Sequence, residues 1–170
     1  MEFAKCPEPE RAGLTETANT LFAGISSGSL NVDQYLGSIL AASHFLRKEF
    51  QPTRGEKVFA LGFCMGGSLS GLLACHDPEL SGAAIFYGNA PAPELLSNIQ
   101  CPVVGFYGSL DKRLADGVPA FTEAMQKAGK HFESHIYPGV QHAFFNDTRP
   151  SYDVAAARQA FASVLKFFSP

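Results

Sequence analysis

The glycine-rich run Gly62-Phe63-Cys64-Met65-Gly66-Gly67 constrains the fold of this chain more than any other feature. A short apolar stretch, residues 57–62, leads directly into the run, and residues 65–75 continue from it with helical spacing. The pattern predicts a buried strand that turns sharply into a helix, with a cysteine on the turn. Such a turn indicates the α/β class, because the strand must lie in a sheet that the helix covers.

The glycines around Cys64 have a steric reason. A side chain on a tight strand-to-helix turn sits on strained backbone, and we expect Gly62 and Gly66 to avoid collisions with neighbouring structure. The partial positive charge at the helix start favours a thiolate, and the Met65 N–H can face a developing oxyanion. These features predict that Cys64 is a nucleophile and that Met65 is an oxyanion donor. The alternative is a buried structural thiol at a glycine-rich turn.

Strands and helices alternate along the rest of the chain. Apolar runs predict strands at residues 83–87, 102–107 and 132–137, and helical spacing predicts helices at residues 32–50, 118–128 and 154–168, with a short one after residue 93. This order predicts a mostly parallel sheet with helices on both faces, because parallel neighbours need crossover connections. The 170 residues fit one domain, in which residues 1–30 form an irregular or short-helical lead-in and Asn31 caps the first helix.

Two more reactive side chains follow predicted strands. Asp111 lies in the loop after the third strand, and His142 lies in the loop after the fourth. Because the carboxyl ends of parallel strands meet at one edge of a sheet, both should lie near Cys64. The chain order fits a triad in which a histidine moves a proton and an aspartate orients the imidazole. Loop aspartates also cap helices, and we expect Asp116 to cap the helix that begins near residue 118.

Composition and charge argue against several classes of protein. The chain is 46% hydrophobic with a net charge of -3 and no basic run, which argues against nucleic acid and anionic membranes as partners. No apolar stretch approaches the roughly 18 residues that cross a bilayer, and no signal pattern is present, so we expect a cytoplasmic protein. The four cysteines lack CxxC spacing and a secretory context, which argues against a metal site or a disulfide framework. We therefore expect a small-molecule ligand.

Three further motifs accompany the cysteine run: Phe86-Tyr87-Gly88, Tyr107-Gly108-Ser109-Leu110-Asp111 and Tyr137-Pro138-Gly139-Val140-Gln141-His142-Ala143-Phe144. With these motifs the chain resembles the dienelactone hydrolase family of the α/β-hydrolase fold over residues 32–168. The resemblance implies hydrolysis of a small ester or lactone through a thioester acyl-enzyme, without a metal or organic cofactor. It implies that Cys64, Asp111 and His142 form the triad. It also implies that Tyr87 lines the substrate pocket, and we expect Phe144 to form part of the pocket wall or of the core.

The chain departs from the family pattern after the histidine. Members of the family that cleave dienelactone have an arginine there, whereas this chain has Asn146. Dienelactone itself is therefore not the expected substrate. Arg113 and Arg149 are candidates for binding a substrate carboxylate, although exposed arginines are commonly solvated.

The family also places several strands before the nucleophile strand, and these carry the second oxyanion donor. Almost none of those strands is present in this sequence. Residues 57–61 are therefore expected to form an exposed apolar edge of the sheet, which proteins normally cover. We expect a homodimer that covers this edge. The alternative is a truncated, catalytically impaired family member that keeps the triad but lacks a complete oxyanion hole and substrate pocket. A redox-sensing thiol is a third possibility, although no resolving cysteine lies near Cys64 in the sequence.

Overall fold

The computed structural model describes residues 33–169, together with residues 12, 13, 16, 17 and 20. The chain divides into two compact units, Met1–Gln34 and Tyr35–Pro170. Residues 12, 13, 16, 17 and 20 are helical. The rest of the predicted lead-in over residues 1–30 and the predicted cap Asn31 lie outside the described residues.

From residue 33 onwards, helices and strands alternate as the sequence predicts. The strands are β1 (Phe59–Phe63), β2 (Gly82–Phe86), β3 (Val103–Gly108) and β4 (Phe132–Tyr137). The α-helices are α1 (Asp33–His44), α2 (Met65–His76), α3 (Lys112–Ala115), α4 (Val118–Lys127) and α5 (Val154–Phe168). A π-helical turn at Phe45–Glu49 extends α1, and 3-10 turns occupy Gln51–Thr53 and Pro93–Asn98. Within the described residues, no helix is both long and apolar enough to cross a membrane.

The four strands form one parallel sheet in the order β1-β2-β3-β4. Ala83 of β2 pairs with Val103 of β3, and Val103 in turn pairs with Phe132 of β4. Every residue of the two central strands is buried. The predicted α/β fold with a parallel sheet is confirmed, and the carboxyl ends of all four strands meet at one edge.

Helices cover both faces of the sheet. A Cβ on Gly71 of α2 would lie 3.1 Å from the Ile85 side chain, and one on Gly82 would lie 3.0 Å from the Phe167 ring of α5. Ile85 and Gly82 are three positions apart in β2, so their side-chain positions point to opposite faces. Helices α2 and α5 therefore enclose β2 from both sides.

Strand β1 lies at one edge of this sheet. Among the described residues it pairs with β2 alone. Two of its apolar side chains remain exposed, Leu61 at 42% and Phe63 at 37%. The strand that leads into Cys64 is thus an apolar edge strand in the described part of the chain, as the sequence predicts.

A buried group of polar side chains, here called the tether cluster (Ser43, Arg47 and Asp77), fixes the end of α1 to the end of α2. Arg47 Nη2 lies 2.7 Å from Asp77 Oδ2, and Ser43 Oγ donates a hydrogen bond of 2.5 Å to the same oxygen. Arg47 Nη1 also lies 3.2 Å from Glu79 Oε2. The sequence pattern did not indicate this cluster.

The helix caps differ from the prediction at one point. Asp116 does not cap α4, whose N-cap is Gly117 without a side-chain hydrogen bond. Asp116 instead ends α3, and its carboxylate lies 3.8 Å from Lys112 Nζ. The unpredicted helix α3 fills the sequence between Asp111 and α4, which removes Asp116 from a capping position. A side-chain cap is present at α5, where Asp153 accepts a hydrogen bond of 2.8 Å from the Ala156 N–H.

Candidate active site

Cys64 lies on the turn between β1 and α2, at the carboxyl edge of the sheet. Its backbone has φ 55° and ψ -117°, a conformation that residues with a side chain rarely adopt. The Cys64 N–H donates a hydrogen bond of 2.9 Å to Phe86 O, and the Cys64 carbonyl accepts one of 3.2 Å from the Ser68 N–H. Strand β2 and the first turn of α2 thus hold the strained turn in place.

Close backbone packing explains most of the glycines around this turn. A Cβ on Gly62 would lie 1.9 Å from Gly66 O, and one on Gly67 would lie 2.7 Å from Phe86 O. A Cβ on Gly66 would meet nothing within 4 Å. The prediction that Gly66 avoids a collision is therefore wrong, because the crowded position on that side of Cys64 is Gly67.

The loop after β2 packs directly against the start of α2. A Cβ on Gly88 would lie 2.5 Å from Ser68 N, and the Asn89 N–H donates a hydrogen bond of 2.8 Å to Ser68 Oγ. Sequence reasoning missed Ser68 and Asn89 because their contact joins residues that are 21 positions apart. The contact fixes the neighbouring Tyr87 beside the cysteine turn.

The loops after β3 and β4 bring Asp111 and His142 together. His142 Nδ1 lies 2.5 Å from Asp111 Oδ2. The two loops approach closely because residue 108 is a glycine: a Cβ there would lie 2.4 Å from Val140 O. The Leu110 N–H also donates a hydrogen bond of 2.9 Å to Val140 O. We call Cys64, Asp111 and His142 together the reactive cluster.

Backbone strain concentrates around this cluster. Among the described residues, the non-glycine residues with positive φ are Cys64 (55°), Tyr87 (39°) and Ala143 (59°). Each follows a different strand or loop at the carboxyl edge, and Ala143 comes directly after His142. Strained backbone of this kind persists where the surrounding structure enforces it, and it is common at functional sites.

The Cys64 thiol and the His142 ring interact, and each shifts the pKa of the other. Hydrogen bonding to His142 lowers the pKa of Cys64 against the effect of burial, and the Met65 N–H and the charge of Arg113 lower it further. The same hydrogen bond raises the pKa of His142 against burial, with a further contribution from Asp111. Because Nδ1 of the ring faces Asp111, Nε2 is left for Cys64. These shifts favour a thiolate beside an imidazolium.

The two aromatic residues that the sequence assigned to the pocket, Tyr87 and Phe144, are both buried in the core. The Tyr87 ring lies against the His142 ring, with centres 5.0 Å apart, and burial raises the pKa of Tyr87 to about 12. Phe144 has no exposed surface, and its ring centre lies 5.4 Å from that of Tyr87. Phe144 therefore belongs to the core beneath Tyr87, where it cannot touch a ligand without a rearrangement.

The other described cysteines are not part of the site. Cys75 and Cys101 are buried, and burial raises the pKa of each thiol to about 11. Both are protonated packing residues near neutral pH. In the part of the chain that the structure describes, no group of three or more His, Cys, Asp and Glu side chains could hold a metal ion.

Known proteins resemble this chain in sequence and in fold. The sequence model of the dienelactone hydrolase family matches residues 13–170. A relative from Saccharolobus solfataricus, named for carboxymethylenebutenolidase, is 40% identical over 121 residues, which cover 70% of this chain and 47% of the relative. A solved structure from Klebsiella pneumoniae, named as a dienelactone hydrolase, is 30% identical with a TM-score of 0.61, and the match covers 64% of this chain and 50% of that one.

A third comparison shows the fold alone. The dienelactone hydrolase-like phosphotriesterase P91, from metagenomic libraries, is 22% identical with a TM-score of 0.67, and the match covers 86% of this chain and 66% of that one. The chain spans about half the length of these curated relatives. The family match nevertheless includes the cysteine turn, all four strands and the reactive cluster. The chain belongs to the dienelactone hydrolase family.

Proposed function

We propose that this chain hydrolyses a small ester or lactone, with Cys64 as the nucleophile, His142 as the acid and base, and Asp111 as the residue that orients His142. The observation that carries the proposal is the meeting of these three side chains at a strained turn on the carboxyl edge of the sheet. Family membership supports a carboxylic ester as the substrate class.

In the first half of the reaction, His142 Nε2 accepts the proton of the Cys64 thiol. The thiolate attacks the substrate carbonyl carbon, a C–S bond forms, and the carbonyl electron pair moves to the oxygen. The Met65 N–H and the start of the 12-residue helix α2 stabilise this oxyanion. The intermediate then collapses, the alcohol oxygen leaves with the proton from His142, and an acyl-thioester remains on Cys64.

In the second half, water replaces the alcohol. His142 takes a proton from the water as its oxygen attacks the thioester carbonyl, and the C–S bond breaks to release the acid and the Cys64 thiolate. Asp111 accepts the Nδ1–H of His142 throughout, which fixes the tautomer and stabilises the imidazolium. Every step uses groups of this chain and one water molecule.

Hydrolysis of 4-nitrophenyl acetate tests the proposal. Cys64→Ala should lose about 1000-fold or more in kcat/KM, because loss of a triad member removes most of the chemical acceleration. Cys75→Ala is the matched control, since it removes a buried thiol outside the reactive cluster. Intact mass spectrometry should detect the acyl adduct on the wild-type chain. Wild-type rates in a folded Cys64→Ala variant would disprove the role of Cys64.

A second candidate function is a binding or reactive-thiol protein with little turnover. The Met65 N–H is a backbone donor whose hydrogen bond lowers the pKa of the Cys64 thiol. A missing second oxyanion donor costs about 100- to 1000-fold in turnover. Measuring Cys64 alkylation and ester turnover on the same sample distinguishes the two candidate functions. Rapid alkylation without acyl-enzyme formation would favour the second candidate.

We also propose that the chain forms a homodimer that covers β1. Leu61 and Phe63 are exposed on a strand whose outer edge has no strand partner among the described residues. Free N–H and C=O groups beside exposed apolar side chains promote association. Sedimentation velocity at micromolar concentration should show a dimer that Leu61→Lys weakens. A wild-type monomer would contradict this arrangement.

A further inference from the structure

A serine side chain joins the loops that carry Asp111 and His142, and the proposed chemistry does not use it. Ser109 Oγ accepts a hydrogen bond of 2.8 Å from the Gly139 N–H. Ser109 comes directly after β3, in the loop that leads to Asp111, and Gly139 lies in the loop that leads from β4 to His142. The hydrogen bond therefore spans the two loops on the approach to the Asp111–His142 contact.

Two backbone hydrogen bonds join the same loops. The Ser109 N–H donates one of 2.9 Å to Tyr137 O, and the Leu110 N–H donates one of 2.9 Å to Val140 O. Both can form with any side chain at position 109, because they use main-chain groups only. The Ser109 hydroxyl is therefore the part of this connection that a substitution can remove while the backbone bonds remain.

The Gly139 turn can move when this hydroxyl is lost. Gly139 has φ 73° and directly follows Pro138, an order that is typical of a type II turn. Glycine is the residue with the greatest backbone freedom, so its orientation depends on what holds its peptide group. Gly139 is also exposed, and water can therefore replace the serine as the acceptor of its N–H. Loss of the hydroxyl should leave the fold intact but release the turn from the loop after β3.

The segment that follows the turn contains His142 and then Ala143, whose φ of 59° is strained. Strained backbone persists where the surrounding contacts enforce it. After the strained residue, the Asn146 N–H donates a hydrogen bond of 3.0 Å to Ala143 O. Before it, the Ser109 hydroxyl holds the Gly139 turn. His142 thus lies on a short segment that is fixed on both sides.

We propose that Ser109 is a positioning residue, which keeps the His142 ring in contact with Asp111 by holding the Gly139 turn to the loop after β3. Ser109 acts through the backbone of residues 139–142 and takes no part in bond making. This inference rests on the proposed hydrolase function, because the positioned histidine is the acid and base of that reaction. A displacement of about 1 Å can cost about 100-fold in rate. Because the two backbone bonds remain, the expected loss is smaller, about 10-fold.

Removal of the hydroxyl tests this role. Ser109→Ala should lower kcat/KM for 4-nitrophenyl acetate about 10-fold per folded molecule, whereas Ser109→Thr keeps a hydroxyl on the same carbon and should retain most of the activity. Ser169→Ala is the matched control and should be fully active, since its hydroxyl donates a hydrogen bond of 2.9 Å to Leu165 O at the end of α5. Wild-type kcat/KM in Ser109→Ala, or an equal loss in the threonine or control variant, would overturn the proposal.

The pH dependence of Cys64 alkylation by iodoacetamide is a readout that a merely structural role would not move. Hydrogen bonding to Cys64 and to Asp111 raises the pKa of His142 against burial, and hydrogen bonding to His142 lowers the pKa of Cys64. A looser Asp111–His142 contact in Ser109→Ala should therefore move the alkylation midpoint upward, to a value between those of wild type and His142→Gln. Ser169→Ala should keep the wild-type midpoint. A wild-type midpoint in Ser109→Ala would show that Ser109 does not position His142.

The two measurements separate failure of the positioning role from failure of the hydrolase. If Cys64→Ala keeps full esterase activity but the alkylation midpoint of Ser109→Ala is raised, the hydrolase role of Cys64 falls and the positioning role remains. If Cys64 is required for turnover and neither measurement responds to Ser109→Ala, the positioning role alone is overturned.

Discussion

Two polar clusters lie at opposite ends of helix α2, and the aspartate of each cluster has a different kind of partner. At its N-terminal end the reactive cluster joins Asp111 to His142, whose side chain is 35% exposed and can gain or lose a proton. At its C-terminal end the tether cluster joins Asp77 to Arg47, whose side chain is 10% exposed and permanently charged. A titratable partner open to solvent suits proton transfer. A buried guanidinium suits a fixed contact between helices.

The helix dipole sharpens the contrast. The Cys64 thiol lies at the N-terminal end of α2, where partial positive charge favours its anionic form. The Asp77 carboxylate lies at the C-terminal end, where the dipole disfavours an anion. Burial also raises the pKa of Asp77, yet hydrogen bonds from Arg47 and Ser43 keep it below its ordinary value. The tether cluster therefore offsets the effect of burial on the Asp77 carboxylate.

The largest expected effect comes from exchanging each aspartate for asparagine. Asp111→Asn should lower kcat/KM for 4-nitrophenyl acetate by about 1000- to 10,000-fold, because asparagine cannot hold the catalytic tautomer of His142. Asp77→Asn should instead lower the free energy of unfolding, because Arg47 loses its buried counter-charge. Both variants are compared by activity per folded molecule and by urea denaturation. An active Asp111→Asn variant, or an inactive but stable Asp77→Asn variant, would break the contrast between the clusters.

The next largest effect is expected from removal of the Arg47 guanidinium. Arg47→Met leaves Asp77 as a buried carboxylate without its charge partner, and breaking such a pair costs about 3 kcal/mol of folding free energy. The neighbouring Lys48 is the matched control, since its 2.7 Å contact with Glu79 joins side chains that are 47% and 52% exposed. Lys48→Met should cost less than about 1 kcal/mol. Equal losses in urea denaturation would show that Arg47 contributes no more than a surface pair.

The two clusters also differ in how far the sequence predicts them. The reactive cluster was predictable because each member lies in the turn or loop that follows a strand, and parallel topology then brings Cys64, Asp111 and His142 to one edge. The tether cluster was not, because Ser43 and Arg47 lie on a helix whose polar positions resemble a solvated face. Their partner Asp77 is 34 and 30 positions away, so no helical or strand periodicity in the sequence indicates the contact.

The same limit applies to details of the cysteine turn. The sequence indicates that the turn needs glycine, but it does not show which carbonyl fills the space beside each one. Gly62 and Gly67 meet backbone atoms, whereas Gly66 does not. The sequence likewise gave no sign of Asn89, because its contacts with Ser68 of α2 and Arg113 of α3 depend on how two helices and a loop converge.

The pH dependence of Cys64 alkylation should show a smaller but specific effect. The rate with iodoacetamide should rise with a midpoint below the ordinary thiol value of about 8.5, because hydrogen bonding to His142 lowers the pKa of Cys64. His142→Gln should move the midpoint upward, since the imidazolium is lost. Arg47→Met is the control from the other cluster and should leave it unchanged. An unchanged midpoint in His142→Gln would show that His142 does not lower the pKa of Cys64.

The smallest expected effect is the acid dependence of stability. The folded pKa of Asp77 lies below its unfolded value of about 3.9, so its contribution is complete above that pH and is lost as pH falls through the folded pKa. His142 has the opposite sign: its raised pKa contributes below about pH 6.5, and this contribution is lost as pH rises through the folded pKa. The difference in unfolding free energy between wild type and Asp77→Asn should therefore shrink below pH 4, whereas that between wild type and His142→Gln should shrink above neutral pH. Urea denaturation across this range measures both differences. If both differences shrink on the same side, Asp77 and His142 do not contribute to stability with opposite pH dependence, and the comparison between the ends of α2 fails.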